Sequence, residues 1–241
     1  MRRCTALAGA LAAGATILLT GPAASAAASD VVYVPDDFVK ALSDTRATGS
    51  YELEGTGLRI TTTGSTSTDK VAEYVAADPD TLLADVGEPE LDYTATSGTI
   101  PPGFQLVVDF DADGTPDGIL VGEAVYGDDW WLNNAAEPFV KAGAPVTGDG
   151  SGSQWHGTLD EWRGEFEDAE VLAFGFSLGS GVKGDGVINA IEFAGTRYTF
   201  AQHVVIKAKQ DCKNGGWATS TKPVFRNQGE CVSSLARPAG R

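Results

Sequence analysis

The chain has 241 residues, of which 42% are hydrophobic and 21% charged, enough apolar material for a packed core and too much for wholesale disorder. Its formal net charge is −16, and a chain this acidic repels phosphate backbones, which argues against nucleic acid as a partner. The acid is unevenly placed: residues 30–201 carry 31 acidic against 8 basic side chains, whereas residues 202–241 carry 2 against 7.

At the N-terminus, Arg2 and Arg3 precede an uncharged apolar stretch from Ala6 to Leu19. Gly21-Pro22 and a run of small residues, Ala23 to Ala28, follow. That order reads as a secretory signal over residues 1–28, cleaved after Ala26 or Ala28. The apolar core is shorter than the roughly 20 residues that span a bilayer. About 213 residues then remain, read as a β domain over 29–206 and a basic extension over 207–241. In an oxidising compartment the two remaining cysteines, Cys212 and Cys231, pair as one disulfide.

Val31 to Val34 reads as a first strand, and Pro35-Asp36-Asp37 opens a short helix carrying Phe38, Val39 and Leu42. Tyr51 to Thr62 alternates around Gly55 and Gly57 and reads as a hairpin. Val71 to Ala77 fits helix or strand and ends at Asp78-Pro79. Phe104, Leu106, Val108 and Phe110 share one face of a strand, and Ile119 to Val125 is its partner. Trp130 to Leu132 extends the sheet, and Gly143 to Gly152 is a loop. Thr158 and Glu161 form a capping box ahead of Leu159, Trp162 and Phe166 at helical spacing. Strands over 171–176, 187–193 and 197–205 complete the body. Many short strands with turn residues between them, and few helices, predict an antiparallel two-sheet sandwich of jelly-roll type.

One motif carries metal chemistry. Asp109-Phe-Asp111-Ala-Asp113-Gly-Thr115-Pro-Asp117 places carboxylates at alternate positions, with a glycine for the turn and a backbone carbonyl at Thr115. Calcium takes six to eight oxygens, and four carboxylates this close repel one another without a cation. The spacing resembles the calcium loops of FG-GAP/VCBS repeats and thrombospondin type-3 repeats. It departs from an EF-hand at the twelfth position, Leu120, so water or Glu123 is expected to complete the shell. The expected cofactor is therefore Ca2+ at Asp109, Asp111, Asp113, Thr115 and Asp117, in a structural role.

Two catalytic patterns are incomplete. Gly175-Phe-Ser177-Leu-Gly179 has the form of a nucleophile elbow, but the glycines that follow do not hold the helix an elbow needs. Glu90 and Asp92 share a strand face as in laminarinase-like glycosidases, but Thr94 stands where a third acid is required. His156 and His203 lack further ligands at metal spacing. Trp130, Trp131 and Trp155, with Asn133, are the candidate residues for a shallow polysaccharide site.

Two further stretches carry a resemblance. Residues 174–188, FGFSLGSGVKGDGVI, and the tail elements Asp211-Cys-Lys-Asn-Gly-Gly-Trp217 and Phe225-Arg-Asn-Gln-Gly-Glu-Cys-Val232 resemble small secreted proteins of high-GC Gram-positive bacteria. The resemblance covers much of the chain after the leader. It implies secretion and a β-sandwich, and no catalytic residue comes with it. The expected function is a secreted, calcium-stabilised module that binds a surface polymer such as a polysaccharide or cell-wall polymer. An extracellular hydrolase and a cell-envelope interaction protein are the alternatives.

Overall fold

The computed structural model describes residues 28–148 and 152–236. Of the expected leader, 1–28, residues 1–27 lie outside the described residues, and its last residue, Ala28, opens the first strand.

Among the described residues twelve strands form two sheets. The first sheet centres on the long β11 (Gly184–Phe193). β5 (Glu90–Ser97) pairs along one edge of it. On the other edge β3 (Gly57–Thr62) takes its first half and β12 (Thr196–Ala201) its second. β2 (Gly49–Glu54) extends β3 as the expected hairpin, and β1 (Ala28–Tyr33) adds to β12 in parallel. The second sheet runs β4 (Lys70–Ala76), β10 (Glu170–Gly179), β6 (Gly103–Asp109), β7 (Gly118–Gly122), β8 (Asp129–Leu132), β9 (His156–Thr158). Every pairing in it is antiparallel.

The core lies between the sheets. Phe104, Leu106, Val108 and Phe110 face inward from β6 and its end, as their alternation predicts, and meet Leu58, Ile60, Ile188 and Phe200 from the first sheet. Among the described residues three short α-helices accompany the sheets: α1 (Pro138–Gly143), α2 (Leu159–Glu165) and α3 (Gln228–Ser234). α2 carries the expected capping box and buries Leu159 and Trp162. Among the described residues no helix is long and apolar enough to cross a membrane.

The helix expected after Pro35 is absent. Residues 35–46 run as turns along the edge of β4, where Val39 N donates to Tyr74 O (2.8 Å), Asp44 N to Ala72 O (3.0 Å) and Arg46 N to Lys70 O (2.8 Å). Those backbone donors satisfy a sheet edge instead of a helix. Phe38 enters the main core, whereas Leu42 packs on the outer face of the second sheet. The two apolar residues thus wrap around an edge and do not share one stripe.

The tail has its own small core, in which Ile206, Phe225 and the Cys212–Cys231 disulfide meet Trp217, Val232 and Leu235. It touches the body where Lys222 Nζ pairs with Asp36 (2.6 Å) and His203 stacks on Tyr33 (4.0 Å between centroids). The bridge spans 19 residues, and closing a loop of that length restricts the unfolded chain by roughly 3 kcal/mol. So few buried side chains hardly replace that constraint. Replacing both cysteines by serine is expected to expose tail amides to fast hydrogen exchange while the strands of the body stay protected. Equal loss of protection in both would show that tail and body unfold together.

Candidate metal loop and outer-face cleft

The acidic loop joins β6 to β7, so it closes a hairpin in the middle of the second sheet. Gly114 adopts φ +90°, a conformation an L side chain disfavours, and the turn needs it there. Oxygens of Asp109, Asp111 and Asp117 come within 4.8 Å of one another. Oxygens bound to one calcium at about 2.3–2.6 Å lie up to about 5 Å apart, so this convergence fits a common ion. Asp109 is fully buried, accepting from Gly114 N (2.7 Å) and Asp113 N (3.2 Å). Asp117 is buried too and accepts from Phe110 N (2.7 Å). These backbone donors hold two carboxylates in place before any cation arrives. Asp111 is exposed; partial desolvation, then the charges of Asp113, Asp117 and Asp109, raise its pKa above the ordinary carboxylate value.

Three expected members stand apart from this convergence. Asp113 Oδ1 accepts from Thr115 N (2.9 Å) and Thr115 Oγ1 (2.5 Å), so both residues fasten the turn to itself. Glu123 lies past the far end of β7, roughly 17 Å of strand away, and does not complete the shell. Its Oε2 accepts from Trp131 Nε1 (3.2 Å), and burial raises its pKa, partly offset by that hydrogen bond.

The second sheet's outer face holds the other candidate site. Register sets Tyr74, Gly175, Gln105, Val121, Trp131 and His156 in one row across six strands. At the β4 end, Leu42 covers Ala72, Tyr74, Val107 and Ala173. Beside that patch a cleft of about 110 Å³ remains, lined by Lys70, Gln105, Glu123, Trp131, Ser177 and Ser180, with Pro101 and Val182 among the rest of its wall. Ligand pockets that engulf a small molecule run to about 300 Å³ or more. A cleft this small accepts one ring or side group of something lying along the face. Tyr74 Oη donates to Gln105 Oε1, which orients the amide, and Lys70 Nζ pairs with Asp44 (3.1 Å).

Of the aromatic residues expected to bind sugar, only Trp131 lines this cleft. Trp130 is 5% exposed, its ring edge-on to Phe104, and it borders a separate hollow of about 320 Å³ with Glu90, Tyr93 and Phe104, not the outer-face cleft. Neighbouring residues of a strand point to opposite faces, and the core claimed the first of this pair. Trp155 packs against the core under the Lys141 ammonium (5.2 Å), and Asn133 Oδ1 accepts from Ile119 N (3.0 Å) at the end of β7. Gly152 lies against the Trp131 indole, so at most one face of that ring is open.

The chain matches no protein-family model, no curated protein and no solved structure. Function therefore rests on the geometry of these sites.

Among the described residues the serine pattern gains no base, and Asp92 of the acidic pair is engaged elsewhere. Ser177 sits within the regular strand β10, opposite Ala72 and Gly103, and neither histidine lines its cleft. Asp92 is held by Arg197 (2.5 Å) and Asn189 (3.0 Å), which lower its pKa. That suits a structural ion pair on the first sheet. Gln105, Lys70 and Glu123 were not anticipated as cleft residues. Gln105 had a readable signal, as the one polar residue inside an apolar β6 run. Lys70 and Glu123 had none, since only strand pairing brings them to one face.

Proposed function

We propose that this chain is an exported β-sandwich, stabilised by calcium at the β6–β7 loop, that binds a surface polymer along the outer face of its second sheet. The observation that carries the reading is the cleft where Trp131 stands with Gln105, Glu123, Ser177 and Lys70. An indole beside amide, hydroxyl and carboxyl groups suits a sugar ring, which offers C–H bonds to the aromatic and hydroxyls to the polar groups. The small cleft suits a polymer gripped at one residue. A body bearing net negative charge favours a neutral or cationic polymer over a polyphosphate. The export signal and the resemblance to small secreted proteins support a place outside the cell.

Bound calcium supplies positive charge among Asp109, Asp111 and Asp117. The two buried carboxylates fix the end of β6 to the start of β7, the two strands that carry Gln105 and Val121 in the row beside Trp131. Calcium then acts by holding the cleft's floor in register.

The test is depletion of the protein from solution by insoluble polysaccharides and cell-wall preparations, in calcium and in chelator. The expected result is retention on at least one material, weaker in chelator. No retention on any of them in either condition would sink the proposal.

A further inference from the structure

The β9 side of the second sheet holds an arrangement that neither the acidic loop nor the cleft uses. Asp129 opens β8 and His156 opens β9. Asp129 Oδ2 and His156 Nδ1 lie 3.4 Å apart, and the Asp129 side chain is only 10% exposed. Both carboxylate oxygens of Asp129 and Nδ1 of His156 are buried, and among the described residues none of the three has a hydrogen-bond partner. Buried polar atoms without partners are rare, and each calls for an explanation such as an ion.

Asp69 provides the contrast within the same molecule. Each carboxylate lies flat against a glycine: a Cβ at Gly64 would meet Asp69 at 2.2 Å, and one at Gly148 would meet Asp129 at 2.1 Å. Asp69 accepts from the N–H and hydroxyl groups of both Thr48 and Thr66. Those four donors hold its pKa well below the usual carboxylate range. Among the described residues Asp129 has no comparable donors.

An imidazole–carboxylate pair alone does not settle the account. The contact is not directed as a hydrogen bond, and it would leave Oδ1 unsatisfied. A cation held by both oxygens and Nδ1 satisfies all three atoms at once. The spacing of Oδ2 and Nδ1 fits, because two ligands each about 2.1 Å from a tetrahedral ion lie about 3.4 Å apart, and Oδ1 of the same carboxylate then sits on the ion's flank as a second, chelating contact. One imidazole nitrogen with carboxylate oxygens is not a calcium or magnesium donor set, and it suits a zinc-type ion.

We propose that Asp129 and His156 hold a divalent zinc-type ion at this edge, with its remaining positions open to water. The ion would tie β9 to β8. Through the bonds of Thr147 N to His156 O and His156 N to Pro145 O (both 3.0 Å), it would also tie the 145–147 segment to the sheet. His156 is the neighbour of Trp131 in the outer-face row, so the same ion would fix the strand that flanks the cleft.

The test is calorimetric titration of the calcium-saturated full protein with Zn2+. One ion is expected to bind, and Asp129→Asn and His156→Gln should each weaken it by more than about 100-fold, beyond the loss usual for residues that merely orient a ligand. A second reading needs no variant. The chain has two histidines, and nitrogen NMR of the wild type should show the His156 ring nitrogens shifting with Zn2+ while those of His203 stay put. No zinc uptake by the wild type, uptake with His156 unmoved, or binding that survives both substitutions would overturn the proposal.

Discussion

Removing calcium is expected to lower the melting temperature by roughly 5–11 °C. A ligand at 100 times its dissociation constant stabilises the folded state by about 2.7 kcal/mol, and each kcal/mol moves the midpoint by about 2–4 °C in a domain of this size. The loop gives the effect its mechanism. Asp109 and Asp117 are already fixed by the backbone N–H groups of Gly114, Asp113 and Phe110. Little ordering remains to be done on binding, so most of the interaction appears as stability. Asp117→Asn keeps the size of the side chain and removes a charge, and it should cut the calcium-dependent rise to less than half. Thermal melts of both proteins, in calcium and in chelator, make the comparison. A rise that is the same in the variant would place calcium elsewhere.

Trp162→Ala should have the largest effect of any single substitution considered. Trp162 is fully buried on α2, packed against Phe110 (5.9 Å) and Phe166 (6.2 Å). Truncating a buried tryptophan costs about 3–5 kcal/mol. Its Nε1 also donates to Trp130 O (3.0 Å), and a buried carbonyl left without that donor adds about 1–3 kcal/mol. The sum approaches the whole stability of a typical domain, so the variant should be largely unfolded at 37 °C or purify poorly. Where it does fold, calcium binding should weaken as well. Phe110, which loses its neighbour, carries the N–H that holds Asp117. A denaturant melt measures the first effect and a calcium titration the second. A loss under about 1 kcal/mol would mean that α2 does not cover the core as described.

Much of the sandwich was readable because large apolar residues recur at every second position of its strands, even in β6, which is buried on both faces. Phe104, Leu106, Val108 and Phe110 face the core as spaced, Tyr51 to Thr62 forms the hairpin, and the capping box at Thr158 starts α2 where expected. Val71 to Ala77 was ambiguous because β4 is buried on both faces between Val71, Ala72, Glu73 and Tyr74, which erases the alternation. It is a strand, and the neighbour that decides this, β10, lies a hundred residues on. The parallel pairing of β1 with β12 and the short β9 depend on such distant partners too. At the candidate site, local spacing was enough to mark the acidic loop. It could not show that Asp113 turns to Thr115, or that Glu123 joins Trp131 at the other end of β7. The Trp130-Trp131 pair shows the same division. Alternation says that one points out, and only the packing says which.

The measurement that bears most directly on the central claim is the binding isotherm of the retained polymer, in calcium, for the wild type and for Trp131→Ala, with circular dichroism confirming that both are folded. A platform that grips one ring contributes through its indole, and an aromatic contact anchor is worth at least about 1–2 kcal/mol. The variant should therefore bind at least about fivefold more weakly at an unchanged fold. Equal affinity of the two proteins would contradict the account and move the binding surface off the second sheet's outer face.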